Sequence, residues 1–374
     1  MKFVVSSSLL SQRLQTLGRV IASKNSLPIL DSFLFRLEGQ QLHLTASDNE
    51  TSILTSIDLV ECESDLTFAI NAKTIQDAIK EIPEQPLEFY VNTDTLEITI
   101  MYQNGRYQFM GQVADEYPTP PALPEDHQRI IVPAQLLCSG ITRSLFATAD
   151  DTLRPVMNGI CFDMSETSLT IVASDGRKLA CDTLSGVQLA QPGTFILQKR
   201  PASLLKGILA KDLTDVVIKF TSNNAIIQTE NYVINCRLTE GRYPNYASVI
   251  PQDNPYCVTV NREAMLSALR RVQIFSSAGG ALIRLHLDNS KMTISTQNID
   301  FSMSAEEVLL CDYNDMPMVI GFPSGSLTDV LNNIDGEEIL IRLADPSRAG
   351  IIYPAQQQEN EQVLMLLMPM MLAE

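Results

Sequence analysis

Residues 66–82 read LTFAINAKTIQDAIKEI, a short apolar run that passes directly into a helical pattern. The same passage returns at 193–209 as GTFILQKRPASLLKGIL and at 317–334 as PMVIGFPSGSLTDVLNNI. The centres of the three apolar runs, Phe68, Phe195 and Ile320, stand about 125 residues apart, which marks a long-period internal repeat. A chain of 374 residues also exceeds the size at which a single hydrophobic core keeps growing. Three domains of one design follow from the two facts together.

Working outward, a second strand-then-helix precedes each of these passages: KFVVSSSLLSQRLQTLGRVI (2–21), RIIVPAQLLCSGITRSLFATA (129–149) and YCVTVNREAMLSALRRVQIF (256–275). Leu10, Leu14, Leu17 and Ile21 recur at helical spacing, as do Met265, Leu269 and Val272. Asn71, Asn261 and Ser324 are placed to cap helices. Between the helices lie alternating runs at 32–48, 159–175 and 282–298, which read as hairpins. Each third is therefore an α+β unit in which two helices cover antiparallel sheet. Pro-rich closures at 105–124 and 231–251 set the expected boundaries: domain one 1–127, domain two 128–254, domain three 255–374. The tail QVLMLLMPMML (362–372) reads as the last strand of the third unit.

Composition excludes several classes. Hydrophobic residues at 45% and charged residues at 19% describe a globular chain. No run of 18 apolar residues occurs, and the first residues lack the uninterrupted apolar region of a signal peptide, so no membrane partner and a cytoplasmic location are expected. Seven scattered cysteines, none in C-x-x-C spacing, read as buried, reduced thiols rather than a disulfide framework or metal site. The sequon at Asn49 reads as a chance match.

A net charge of −17 argues against nucleic-acid binding until its distribution is inspected. The six predicted helical segments (7–24, 72–81, 134–147, 199–211, 261–275, 324–334) hold 13 Lys and Arg against 4 Asp and Glu, while the remainder holds 14 against 40. Helix propensity alone favours Glu about as much as Lys, so it does not account for the segregation. Basic helices carried on an acidic body suit a phosphate backbone. They also suit an acidic scaffold that binds only proteins and spends its helical cations on internal pairing.

Catalytic chemistry is not indicated. His43 and His286 sit in alternating strands and His127 in a linker, and no nucleophile elbow, zinc helix, P-loop or dinucleotide fingerprint is present. The expectation is a binding protein, not an enzyme, with no catalytic residue, no cofactor and no metal.

At VASDGRKLA (172–180), EGRYPNYASVIP (240–251) and LMPMML (367–372), with SLPIL (26–30) near the start, the chain resembles the sliding clamps, the beta subunits of bacterial DNA polymerase III. The resemblance spans the whole chain in order. It implies three repeated clamp domains per chain and a head-to-tail homodimer closing into a ring that encircles double-stranded DNA without reading sequence. The function implied is that of a processivity factor. It implies partners that dock by short peptide motifs: the polymerase III alpha subunit, the clamp loader, and other polymerase or repair proteins. The positions matching the family's peptide pocket are Met157, Ser174, Gly176, Arg177, Lys178, Leu179, Pro244, Ser248, Val249, Leu366, Met368, Pro369, Met370 and Met371. Lys24, Lys73, Arg154, Lys199 and Arg200 match or neighbour DNA-facing positions. Tyr107 and Phe109, with Ile274 and Phe275 at the end of a helix, match the dimer boundary.

The chain departs from the family pattern at Lys178, where Arg is usual, and at Ser248 and Met371, where basic residues are common. Ala373 and Glu374 run past the family's usual end. These departures bear on the pocket's peptide preference rather than its location.

Overall fold

The computed structural model describes residues 1–187, 191–276, 282–298 and 301–372; Ala373 and Glu374 lie outside them. The described residues form six α-helices: α1 (Ser7–Leu17), α2 (Ala72–Ile79), α3 (Ala134–Leu145), α4 (Lys199–Leu209), α5 (Arg262–Val272) and α6 (Ser324–Asn333). Side-chain caps start three of them. Ser6 accepts the Leu9 amide, Asn71 the Thr74 amide at 3.1 Å, and Asn261 the Ala264 amide at 2.9 Å. The expected cap at Ser324 is corrected: Pro323 occupies the cap position, and Ser324 is the first helical residue. Its buried hydroxyl lies 3.0 Å from Gln273 Oε1, so it is taken up by a tertiary hydrogen bond. The apolar stripes are buried as their spacing requires: Leu10, Leu14 and Leu17 on α1, and Met265, Leu269 and Val272 on α5.

All strand pairs are antiparallel, and the chain divides into two compact units. The first comprises Met1–Gln135 with Leu204–Leu238. It holds a five-stranded sheet in the order Glu61–Cys62, Lys2–Ser6, Pro86–Val91, Glu97–Tyr102, Gly105–Met110. It also holds an eight-stranded sheet in the order Gln128–Pro133, Asp215–Phe220, Asn224–Gln228, Val233–Arg237, Thr51–Asp58, Gln41–Ser47, Ser32–Glu38, Leu66–Asn71. Two of the repeats thus share one sheet, because Val233–Arg237 pairs directly with Thr51–Asp58. Gln76 of α2 donates to the Leu14 carbonyl at 2.8 Å, and a Cβ on Gly18 would meet the same Gln76 amide at 2.4 Å. A side chain at position 18 would displace the Gln76 amide from that hydrogen bond.

The second unit, Leu136–Ser203 with Thr239–Glu374, repeats the plan. Its eight-stranded sheet runs Gly193–Gln198, Gly159–Met164, Ser168–Ser174, Lys178–Ser185, Glu361–Leu367, Gly350–Pro354, Glu338–Leu343, Tyr256–Asn261. A four-stranded sheet runs Met303–Leu310, Lys291–Asn298, Leu282–Asp288, Met318–Pro323. The three strand centres found in the sequence occupy one position in the fold. Phe68 pairs across the sheet with Phe35, Phe195 with Phe162 and Ile320 with Leu285, the two aromatic pairs stacking at 5.4 and 4.6 Å.

The tail is shorter as a strand than its sequence suggested. Pairing stops at Leu367, since Pro369 has no N–H to continue a ladder. Met370 makes one further bridge, donating to the Gly321 carbonyl at 2.8 Å. The cysteines also differ in part from expectation: Cys161, Cys181 and Cys236 are buried, whereas Cys62, Cys138, Cys257 and Cys311 are half-buried.

Candidate functional site

The central pair of strands in the second unit, Lys178–Ser185 and Glu361–Leu367, builds the site. Alternation sends Leu179 and Cys181 to one face and Lys178, Ala180 and Asp182 to the other. Leu179 lies opposite Leu366 and Cys181 opposite Leu364. With Cys161, Val172 and Ala349 they form an apolar cluster, against which Tyr243, Tyr246 and Ile250 pack. Leu179 and Leu366 are 1% and 4% exposed, whereas Val249 is 56% and Met368 39% exposed. A buried apolar floor thus carries an exposed apolar rim in a protein with an excess of acid.

One turn fixes the rim. Asp175 Oδ1 accepts the amides of Arg177 at 2.8 Å and Lys178 at 2.9 Å. Gly176 takes φ +89°, a left-handed conformation that favours glycine. The Met368 amide donates to the Arg177 carbonyl at 2.8 Å, which lays the tail beside the turn. Ser174 donates its amide to the Tyr243 hydroxyl at 2.8 Å, and Tyr246 donates to Asp163 Oδ2 at 2.7 Å. Burial, first, and for Tyr246 also the Asp163 contact, raise both tyrosine hydroxyls above their ordinary range, so both remain protonated, Tyr243 accepting and Tyr246 donating. Burial likewise pushes the Cys161 and Cys181 thiols up to about 12. Neither is a thiolate at neutral pH, and the site offers apolar contact and hydrogen bonds rather than a nucleophile.

Most of the matched pocket positions gather here. Met157 is buried with its methyl beside Gly176, Pro244, Ser248 and Val249 are exposed on the segment that covers the sheet, and Met368 lies beside the turn, with Pro369 and Met370 following it toward Gly321. Met371 is exposed past the last bridge. Lys178 stands on the same strand beside Leu179. Its side chain leaves by the opposite face, pairing with Asp329 of α6 at 2.9 Å and standing 5.4 Å from the Phe146 ring. Arg154 comes to the pocket turn, since a Cβ on Gly176 would meet its Nη1 at 3.3 Å, and it pairs with Asp151 at 2.9 Å. Composition gave no warning of Tyr243, Tyr246 or Ile250. The available signal was the alternation of aromatic residues through GRYPNYASVI.

Behind the site, on the helix-facing side, Arg143 of α3 joins the two strands. Its guanidinium reaches Asp182 at 2.7 Å, Glu361 at 2.5 Å and Asp335 at 2.7 Å. Burial outweighs this cation and holds the Asp182 carboxyl up at about 6.

The first unit contains the same turn with different side chains. Asp48 Oδ1 accepts the Glu50 and Thr51 amides, Asn49 takes φ +78°, and the Arg237 amide donates to the Glu50 carbonyl at 2.8 Å. Here, however, Ser52 lies opposite Asn235 where Leu179 faces Leu366. The neighbouring cleft is walled by Pro118, Pro120 and Pro121 and lined by Ser47, Asn223 and Asn224. The apolar rung beneath the second occurrence of the turn is thus replaced by a polar one beneath the first.

The basic helices are less free than their charge count implied. Besides Arg143, Arg13 bonds Asn231 and lies 5.1 Å over Tyr232, Arg262 donates to the carbonyls of Gly336 and Leu331, and Arg271 pairs with Glu307 at 2.6 Å. Among the DNA candidates, Lys199 pairs with Asp150 at 2.9 Å, while Lys24, Lys73 and Arg200 are exposed.

Among the described residues each smaller sheet ends on a strand with one unpaired edge. Gly105–Met110 carries Tyr107 and Phe109, both half-buried, and Met303–Leu310 is the edge of the four-stranded sheet. Ile274 and Phe275 follow α5 in a 3₁₀ turn, not within the helix itself, and are 73% and 40% exposed.

Comparison with known proteins gives a consistent result. Sequence models of the N-terminal, central and C-terminal domains of the DNA polymerase III beta subunit match residues 1–121, 131–245 and 247–370. The beta sliding clamps of Haemophilus influenzae and Pseudomonas aeruginosa are each 26% identical to the chain over 98% of its length and 99% of theirs. A crystal structure of the DNA polymerase sliding clamp from Pseudomonas aeruginosa superposes with a TM-score of 0.92 at 25% identity, covering 100% of both chains. A sliding clamp from the same organism bound to griselimycin gives 0.93 at 25% identity, again over 100% of both.

Proposed function

The chain belongs to the DNA polymerase III beta-subunit family, the sliding clamps, and from that premise we propose that it works as a ring. Two copies join head to tail, encircle duplex DNA, and hold polymerases at the template without making or breaking a bond. The observation that carries this reading is the unbroken succession of three modules, each matching the next domain of one family. In this reading the domains divide near residues 127 and 254. The ring closes by pairing the open edge Gly105–Met110 of one subunit with the edge Met303–Leu310 of the other, with Tyr107, Phe109, Ile274 and Phe275 as the apolar contact beside it. Closing an exposed sheet edge in this way removes unpaired backbone groups from water.

Lys24, Lys73 and Arg200 face the phosphate backbone and supply weak, mobile contacts, since a clamp that gripped tightly would not slide. Lys199 contributes through its pair with Asp150, and Arg154 belongs to the pocket rim. The recess over Leu179 and Leu366 receives short peptide segments from the polymerase alpha subunit, the clamp loader and repair proteins. The griselimycin-bound relative supports a ligand site on this fold. Exposed methionines suit such a site because an unbranched, polarizable side chain repacks around ligands of different shape. Retention on nicked circular DNA tests the reading. The protein should remain on the circle and be lost on linearisation, and equal retention on both forms would refute topological binding.

A further inference from the structure

Beyond the anchor recess the same sheet face continues as a cleft of about 700 Å³, a volume in the range of ligand sites. The register of the central strands shows the continuity. Leu179 opposite Leu366 forms the first rung, Cys181 opposite Leu364 the second, and Thr183 opposite Gln362 the third. Tyr246 and Ile250 touch both the apolar cluster and the cleft. At about 3.3 Å per residue the second and third rungs extend the site by roughly 13 Å, the length of about four residues of extended peptide.

The chemistry changes along this path. The second rung is apolar, with the Cys181 thiol uncharged. The third offers hydroxyl and amide groups, Thr183 Oγ1 lying 3.2 Å from Thr170 Oγ1. Gln357 is held in place by two bonds to the backbone of Val363, donating Nε2–H to the carbonyl at 2.8 Å and accepting the amide at Oε1 at 2.9 Å, which leaves its second N–H for a ligand. At the far wall stands Arg342, exposed, its guanidinium 5.9 Å from the Tyr353 ring. Glu359 lines the same cleft, and among the described residues no ion pair joins it to Arg342. With no ion pair among the described residues, this exposed guanidinium has its donors open to a carboxylate, with which it can form charge-assisted hydrogen bonds.

We propose that the cleft receives the flank of the docked partner peptide, about four extended residues that end in a carboxylate bound by Arg342. The proposal rests on the reading of the Leu179–Leu366 recess as the peptide anchor. The carboxylate belongs either to an acidic side chain or to the partner's C-terminus, and the test separates the two.

The probes are a blocked pentapeptide with Leu and Phe anchors between Ser spacers, and three versions lengthened by four residues. One ends in Asp at the N-terminal flank, one in Asp at the C-terminal flank with an amide cap, and one in Gly with a free carboxylate. Each is titrated calorimetrically against the full-length protein and its Arg342→Ala variant. At least one lengthened peptide should bind about tenfold tighter than the pentapeptide. That gain should vanish in Arg342→Ala, while the pentapeptide's own affinity stays unchanged. Equal affinity for all four peptides, or a gain that survives in the variant, overturns the extended site and leaves the anchor standing. A pentapeptide that does not bind at all overturns the anchor reading, and the extended site with it.

Discussion

Replacing Val249 and Met368 together by alanine tests the pocket at the residues where its two roles separate. Both lie on the rim, 56% and 39% exposed, so the folded protein has not yet gained the burial of those surfaces. Covering a Val or Met side chain fully yields about 1.5–3 kcal/mol, and the still-exposed part of each therefore leaves roughly 1 kcal/mol to be gained on docking. Together they give about 2 kcal/mol, or about thirtyfold in Kd. The same exposure means that their removal costs the fold little, and Tm should fall by no more than about 3 °C. Calorimetric titration with a polymerase-derived peptide measures the first quantity, and a thermal melt of the free protein the second. A loss of affinity below about threefold with Tm unchanged would show that the rim does not meet the ligand. A large fall in Tm would show that these residues belong to the core, contrary to their exposure.

Ile274→Asp with Phe275→Asp should yield folded monomers in sedimentation, since both side chains project from the turn after α5; a persistent dimer would refute the proposed closure. Direct DNA affinity should be weak and independent of sequence, and should fall with salt at a shallow slope of about 0.9 per phosphate contacted; Lys24→Glu with Arg200→Glu should shorten retention on circular DNA without unfolding the chain. At the Arg143 cluster the two partners should behave differently in urea melts. Arg143→Leu should cost about 3–5 kcal/mol, because it strands buried carboxylates, whereas Asp182→Asn should cost far less, because Arg143 keeps Glu361 and Asp335. The sign with pH follows from the Asp182 carboxyl, held at about 6 when folded against about 3.9 unfolded. Its stabilising contribution is full below about pH 4 and is lost as pH rises through 6, so Asp182→Asn should flatten the stability slope across that window.

The fold was legible because the repeat was written in residues that cannot be exchanged freely. Phe68, Phe195 and Ile320 each sit at the centre of a strand pair, and the spacing of Leu10, Leu14 and Leu17 could serve only a buried helical face. Local chemistry was less readable. Ser324 has the right type for a cap, and Pro323 immediately before it supplies a favourable entry on its own. The serine hydroxyl was thereby released to reach Gln273, a contact 51 residues away that no local pattern records. Lys178 was placed at the pocket by its match to the family position where Arg is usual, and a strand sends neighbours to opposite faces. The alternation that identified the strand already implied that only one of the two lines the recess.

The charge segregation was the weakest of these signals, for a physical reason. A cation on a helix that packs against an acidic sheet has two uses, and the sequence does not distinguish them. Arg143, Arg262 and Arg271 are consumed within the second unit by carboxylates and backbone carbonyls, as the scaffold alternative required. Among the described residues Lys24 and Lys73 have no such partner, and both are exposed, as DNA binding requires. Both uses coexist, and they are separated by reach. Arginines on the packed helices find internal partners within a few ångströms, whereas Lys24 sits beyond the end of α1 and Lys73 is exposed in the first turn of α2. The test of DNA contact therefore falls on the loop and helix-start residues, and substitutions at the packed arginines would report on folding instead.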